Sequence, residues 1–409
     1  MCSVLGWSKV RSVTNRAFLL ANGNERGRDG YGFWVDGEVY RGLGEISLSH
    51  KNKIMRGNNV VGNFRATPTT EAESRLETLQ PYDGIVHNGM IANDKQYGDF
   101  PIDSMVLPLI FEHKDFKYIE LNLNKIKGSY ALAYFYRNDL IMACNYKPIY
   151  YTPYEGSLMF ASTPDMLMDD SIPVEPYSAI KYNGSILKKS IPRRQTNKVI
   201  VAASSGLDST AVAYQLKSEG YEVTLGHFTY GCLAEERETD RIKKISNHGG
   251  FNLVFIEMPK VMKGTITSGT YHQDKIAGTE YAMDWVSGRN LLMLSILTAW
   301  AESNDYGYIA FGGNLEESGA YPDNEQEFGR RFNNILPYAT QNGVKIELIQ
   351  PVANLMKHEI VKMGNENEVP WELTWSCYSN KKEHCNNCAP CFMRKTAFKR
   401  NGLTDPVFA

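Results

Sequence analysis

Little in this sequence points outward. Its 44 Lys and Arg nearly cancel its 46 Asp and Glu, leaving a formal net charge of −2. No overall basic field therefore argues for a nucleic-acid partner, although a local patch stays open. Long hydrophobic runs are missing. The longest, Leu291 to Ala301, is interrupted by Ser295 and Thr298 and falls short of a bilayer. The start, Met1-Cys2-Ser3-Val4, has neither the basic residues nor the apolar stretch of a signal peptide, and a cytoplasmic location without membrane contact is expected. Cysteine is sparse, and four of the seven fall between Cys377 and Cys391. That distribution suits a metal site in a reducing compartment better than a disulfide framework. Repeats and low-complexity tracts are absent too, and 409 residues exceed one ordinary core, so two domains are expected.

What is present centres on Val199 to Thr210. The β-branched run Val199-Ile-Val reads as a buried parallel strand, which breaks into a small polar turn and then a helix-like segment from Ala211 to Glu219. Ser204, Ser205 and Gly206 are small where a backbone must approach something closely. Their N–H groups, with the positive end of the next helix, make an anion site. No Lys follows the second small residue and Asp208 stands in the loop, so the Walker pattern fails. An ordinary strand-turn-helix with a Ser cap would look similar.

Downstream, strand and helix signals alternate: a strand over Val223 to Phe228, a charged helix over Glu235 to Asn247, and a strand over Leu253 to Ile256. An apolar helix over Asn290 to Glu302 and a strand over Tyr308 to Phe311 follow. This predicts a doubly wound parallel sheet with ligands at the strands' carboxyl ends. Trp285 to Asn290 places Arg289 and Asn290 just before a helix, where they could meet phosphates or a carboxylate. Gly312 to Asp323 is a polar, glycine-bearing loop containing Asn314 and the stiff turn Tyr321-Pro322-Asp323. Cys377, Cys385, Cys388 and Cys391 have the spacing of a closed tetrahedral Zn(II) site, structural rather than catalytic, with an iron–sulfur cluster as the runner-up. His384 is read as a neighbour of that site.

In the first half, Cys2 follows the initiator Met. Removal of Met1 would leave a thiol and an α-amine on one residue, the amine serving as base for its own nucleophile. On position alone a buried, inert Cys is the better explanation. Arg26 to Phe33 is a glycine-rich turn before a strand, and Gly62 to Thr67 ends a strand with Arg65, suited to a carboxylate. His87 to Asn93 reads as a turn. There Asn88 offers a side-chain N–H and Gly89 a backbone N–H, the pair an oxyanion hole needs. Asp103-Ser104 opens an apolar helix, Met105 to Phe111. The basic, polar stretch Leu187 to Lys198 reads as the linker, giving domains 1–190 and 191–409.

Two resemblances join these pieces. The first-half segments, with Gly128 to Ala133, Lys147 to Tyr151 and Phe160 to Ser162, resemble the class II glutamine amidotransferase domain, an αββα N-terminal-nucleophile fold. That resemblance implies Cys2 as nucleophile, Asn88 and Gly89 at the oxyanion, and Arg65 and Asp103 on the glutamine α-carboxylate and α-amine. Asn63 stands where that family often has His. The central loop resembles the PP-loop of N-type ATP pyrophosphatases, usually Ser-Gly-Gly-x-Asp-Ser, with Ser205 at the first Gly. Ser204, Ser205, Gly206, Leu207, Asp208, Ser209 and Thr210 would then hold the pyrophosphate end of ATP, taken with Mg(II), during AMP transfer.

The loop, Trp285 to Asn290, Tyr321 to Asp323, Gln350-Pro351, Trp371 to Ser376 and the four cysteines together resemble 7-cyano-7-deazaguanine synthase. This implies ATP activation of a 7-carboxy-7-deazaguanine, amide formation with ammonia, and elimination to the nitrile. Arg289, Asn290, Asn314, Tyr321 and Asp323 would bind substrate, and zinc would sit beside the pocket. Fusions of the two domains are linked to archaeosine in tRNA or to modified bases in phage DNA, so a 7-formamidino product or a polynucleotide acceptor stays open, as does self-association. An asparagine-synthetase-like ligase and a non-enzymatic zinc module binding nucleic acid through Lys381, Lys382, Arg394, Lys395, Lys399 and Arg400 are the rival readings.

Overall fold

Neighbouring residues of the first strand serve different cores, and that alternation sets the architecture of the first half. In the computed structural model, which describes residues 2–68, 75–259, 286–341 and 343–408, the chain divides into two compact units, Met1–Pro192 and Arg193–Ala409. Strands β1 (Ser3–Ser8), β2 (Gly30–Val35), β3 (Glu38–Leu43), β4 (Asn59–Arg65), β5 (Val86–Ile91) and β6 (Gly128–Tyr136) open the first unit. They are followed by β7 (Asp139–Cys144), β8 (Tyr150–Tyr154), β9 (Ser157–Ala161), β10 (Ile172–Pro173), β11 (Ser178–Tyr182) and β12 (Ile186–Ser190). The strands form two antiparallel sheets, ordered β10-β8-β9-β1-β4-β2-β3 and β12-β11-β7-β6-β5.

Val4 and Val61 of the first sheet pack with Ala131 and Met142 of the second. Their neighbours Leu5 and Val60 turn the other way, onto Leu19 and Leu20 of α1 (Val13–Arg26) and Ile54 of α2 (Leu48–Arg56). Leu132 and Ile141 likewise face Leu107 and Ile110 of α3 (Leu107–Ile110) and Ile119 of α4 (Ile119–Leu123). The result is an αββα sandwich.

Three expectations are corrected here. His87 to Ile91 is not a turn but most of β5, paired to β6 from Val86↔Ala133 to Ile91↔Gly128. Asp103–Val106 is a 3-10 turn and the α-helix after it is only Leu107–Ile110, with Pro108 in its first turn. The presumed linker is partly strand: Ile186–Ser190 pairs with β11 at the edge of its sheet. Lys188 and Lys189 on that edge discourage strand addition, and their polarity imitates a linker.

In the second unit β13 (Lys198–Ala202), β14 (Glu222–Thr229), β15 (Asn252–Glu257), β16 (Tyr308–Ala310) and β17 (Glu347–Ile349) form one parallel sheet, ordered β15-β14-β13-β16-β17. Val199 and Val201 of β13 face α5 (Leu207–Ser218), α6 (Glu235–Gly249), α10 (Lys357–Glu366) and α11 (Ala389–Arg400). Ile200 faces α7 (Arg289–Ser303) and α9 (Gln326–Ala339), while α8 (Leu315–Ser318) is a short turn in the polar loop. Helices on both faces make the sheet doubly wound. Its order reverses between β13 and β16, the switch point where such sheets bind ligands. Helix α5 starts at Leu207, so Leu207 to Thr210 are its first turn rather than loop. Trp285 and Met1 lie outside the described residues. Among the described residues no helix is long and apolar enough to cross a membrane.

Candidate functional site

In the first unit one amide ties the candidate residues together. Asn63 Nδ2 donates to Ser3 O at 3.2 Å and to His87 O at 3.3 Å. It thus joins the residue after Cys2 to the residue before Asn88. Gln80 reinforces the same edge: its Nε2 donates to His87 O at 2.9 Å and its Oε1 accepts from the His87 N–H at 2.6 Å. Cys2 is half-buried, with Sγ 3.6 Å from Ala66 O, next to the buried Arg65 that closes β4. Arg65 Nη1 donates to Thr78 O at 3.5 Å.

Gly89 has φ +156°, and a Cβ there would stand 2.0 Å from Ser129 O. Glycine is required beside Asn88. Asp103 closes the group: its Oδ2 accepts from the Ile91 N–H at 2.6 Å and its Oδ1 from the Ser104 N–H at 2.7 Å. Ser104 Oγ is 2.9 Å from His87 Nδ1, whose ring also meets Ser129 O through Nε2 at 3.2 Å. Burial holds the His87 imidazole below its usual proton affinity, against the pull of Asp103. Cys2, Arg65, Asn88, Gly89 and Asp103 thus lie on connected segments. Gln80 escaped the sequence reading, and Asn63 and His87 appear there without a bridging role, because a buried polar bridge has no periodic signature.

In the second unit a cavity of about 240 Å³ opens at the carboxyl ends of β13 and β14. Ser204, Gly206, Leu207, Asp208, Ser209, Arg289 and Asn290 line it. The N-terminus of α5 and the free N–H groups of its first turn give this wall the character of an anion site. Gly312, at the end of β16, lets the sheet approach closely, since a Cβ there would lie 3.0 Å from the Ser209 N. Two residues of the motif, Ser205 in the loop and Thr210 in the first turn of α5, stand behind the wall. Thr210 Oγ1 donates to Gly206 O at 2.7 Å, and Ser205 is fully buried at φ +63°. Asn314, Tyr321 and Asp323 are not on the wall either. Asn314 caps α8, accepting from the Glu317 N–H at 3.0 Å. The neighbour of Asp323, Asn324, lines the cavity instead and accepts from Asn290 Nδ2 at 3.2 Å.

The wall also carries charged groups that the motifs did not reveal. Lys357, buried at the start of α10, places Nζ 3.1 Å from Asp208 Oδ2 and 2.6 Å from Glu317 Oε1. Burial raises the Asp208 carboxyl to about 6, with Lys357 opposing and Glu317 adding. Asp208 Oδ1 has no hydrogen-bond partner among the described residues. Burial works against the Arg289 charge, but Tyr230, Tyr378 and Asp323 more than offset it. Asp208 is therefore anionic above pH about 6 and neutral below it. ATP–pyrophosphate exchange, measured without ammonia, should fall as pH drops through that value, and Asp208→Asn should flatten the acid limb. A wild-type rate unchanged two units lower would contradict the assignment.

The Sγ atoms of Cys377, Cys385, Cys388 and Cys391 lie within 4.8 Å of one another, and Cys377 and Cys388 are 3.9 Å apart. A tetrahedral Zn(II) with bonds near 2.3 Å needs sulfurs about 3.8 Å apart, so the cluster fits that ion. Hydrogen bonds from the Cys388 and Cys391 thiols, and from Ser379 and the Cys385 N–H, hold Cys377 far below the usual thiol range. His384 is engaged elsewhere: its Nε2 accepts from the Ser376 N–H at 3.2 Å and its ring packs on Trp375. Metal analysis should find one zinc per chain. Chelation should lower the unfolding midpoint, by about 6–12 °C if roughly 3 kcal/mol is lost in a unit of this size.

Comparison with known proteins places this geometry. The family described as "Queuosine biosynthesis protein QueC" matches residues 198–402. The 7-cyano-7-deazaguanine synthase 2 of Sulfurisphaera tokodaii is 39% identical, the alignment covering 100% of this chain and 99% of that one. The 7-cyano-7-deazaguanine synthase of Sulfolobus acidocaldarius is 38% identical with the same coverage. That of Methanosarcina mazei is 36% identical across 51% of this chain and 97% of its own. Matched along both of its units by proteins of that name, the chain belongs to the QueC family of 7-cyano-7-deazaguanine synthases.

Proposed function

We propose that this chain converts a 7-carboxy-7-deazaguanine into the 7-cyano base, using glutamine for nitrogen and ATP for activation. The observation that carries the reading is the match to named synthases over 100% of the chain. It supports a part for the first unit in the activity, and Cys2, Arg65, Asn88, Gly89 and Asp103 of that unit fit a glutaminase.

In the first unit, the α-amine left by removal of Met1 takes the Cys2 thiol proton, and the thiolate attacks the glutamine amide carbon. The Asn88 side chain and the Gly89 N–H stabilise the oxyanion, whose collapse expels ammonia; water then hydrolyses the thioester. Arg65 holds the α-carboxylate and Asp103 the α-ammonium. In the second unit, the substrate carboxylate attacks the α-phosphorus of ATP and pyrophosphate leaves, held by the N–H groups from Ser204 to Thr210. Ammonia displaces AMP to give the amide. A second ATP adenylates the amide oxygen, and loss of AMP and the remaining amide protons leaves the nitrile. Asp208, which lines the cavity and whose buried Oδ1 has no partner among the described residues, fits as a ligand for Mg(II), which neutralises phosphate charge when bound. Arg289 and Asn290 are placed for the substrate carboxylate, with Asn314, Tyr321 and Asp323 supporting that wall from behind. Zinc at the four cysteines would hold the segment around Trp375 and take no part in the chemistry. The product would serve DNA or tRNA modification.

The test is incubation with glutamine, ATP, Mg(II) and 7-carboxy-7-deazaguanine, with products identified by mass. A nitrile is expected. No reaction of that base with either glutamine or ammonium would sink the reading, and a formamidine formed only from an existing nitrile would replace it.

A further inference from the structure

Glu238, in the first turn of α6, has a role that no phosphate or metal chemistry accounts for. Its acidic neighbours are engaged elsewhere. Glu235 Oε2 accepts from the N–H groups of Tyr230 at 2.7 Å and Gly231 at 2.6 Å, and Glu236 Oε2 accepts from Asn380 Nδ2 at 2.9 Å. Glu238 instead lines the cavity alongside Phe228, Tyr230 and Met293. Among the described residues it makes no ion pair within 4.0 Å, and its one hydrogen bond is from the Cys232 thiol, a weak donor, at 3.9 Å. A carboxylate in such a place is costly unless something donates to it.

We infer that Glu238 reads the base, its two oxygens accepting the ring N1–H and the 2-amino group of the guanine-type substrate. This rests on the proposed 7-deazaguanine substrate. Two parallel donors match a carboxylate as a guanidinium does, with charge-assisted strength. Phe228, Tyr230 and Met293 offer apolar surface to the ring. An adenine ring presents a bare acceptor, N1, on the corresponding edge and is repelled, so the same residue keeps the base of ATP out of the substrate's place. Burial has pushed the Glu238 carboxyl up to about 7, although Arg289 opposes the shift. That is the behaviour of an acceptor short of donors.

The test compares 7-carboxy-7-deazaguanine with its 2-deamino analogue, under ATP and ammonium salt so that the glutaminase is bypassed. Wild type should favour the full substrate in kcat/KM by roughly 10- to 100-fold, the size of a hydrogen bond to a charged group. Glu238→Gln should raise KM for the full substrate by a similar factor and lose most of that preference, with KM for ATP unchanged. Glu238→Asp, which keeps the charge, should be intermediate, and thermal unfolding of both variants checks that they fold. Unchanged discrimination in Glu238→Gln overturns the role. So does a fall in kcat alone, which would indicate proton transfer, or a change confined to the KM for ATP. Turnover of neither base by wild type overturns the substrate assignment itself, and this inference with it.

Discussion

Cys2→Ala should lose glutamine-driven product formation by at least about 10³-fold and retain the rate seen with added ammonium salt. The change removes one sulfur from a half-buried site where its only polar contact among the described residues is a long one, 3.6 Å to Ala66 O. Folding of the first unit should be almost unaffected. What goes is the atom proposed to form the thioester, and neither Asn88 nor Gly89 can replace it. The ammonium arm separates loss of the nucleophile from general damage, because it needs only the second unit's chemistry. Persistent glutamine-driven synthesis would show that nitrogen is released elsewhere, and failure of both arms would point to damage beyond the thiol.

The second large effect is expected at Lys357. Lys357→Met keeps the apolar stem but leaves two carboxylates, Asp208 and Glu317, around a missing cation that had stood 3.1 and 2.6 Å away. Breaking a buried pair by removing one partner costs about 3–5 kcal/mol. Part of that is recovered when one carboxyl takes a proton, and Asp208, already raised to about 6 with the lysine present, would do so at higher pH still. Urea unfolding should register the destabilisation, and ATP–pyrophosphate exchange should fall about 10²-fold or more as Asp208 loses its charge and position. Adding Glu317→Gln should restore much of the stability without restoring exchange. A Lys357→Met chain with wild-type exchange would remove the triad from the nucleotide site.

The fold was legible wherever a repeat of apolar residues had a length and a boundary. Val199 to Val201 reads as a buried parallel strand because both of its faces are covered, and helices do lie on both. The first unit's sheets were reached by resemblance, and the local reading failed at its edges. His87 to Ile91 looks like a turn because it contains Asn and Gly. Its backbone is held extended by β6 on one side and by hydrogen bonds from Asn63 and Gln80 on the other, and of these only Gln80 is close in sequence. Ser205 read as a blemish in a glycine motif, and the backbone explains why glycine is usual there: φ is +63°. Charged clusters were the least visible part. Asp208 lies 149 residues of chain from Lys357, and Glu317 lies 40 from it, and only the winding of the sheet brings the three to one wall.

The strained turn at Ser205 has a consequence for how the two halves of the nucleotide site depend on each other. A serine there costs about 1–3 kcal/mol in backbone strain, and its hydroxyl is buried without a partner among the described residues. Local preference therefore does not hold the loop; its surroundings do. The most direct support is the Trp375 N–H, which donates to Ser205 O at 2.9 Å, and Trp375 packs with Cys377, Cys388 and Cys391. If the loop holds ATP and the four cysteines hold a metal, as proposed, the shape of the loop depends on that cluster, and scarcity of the metal should be felt first as weakened affinity for nucleotide, before the chain unfolds.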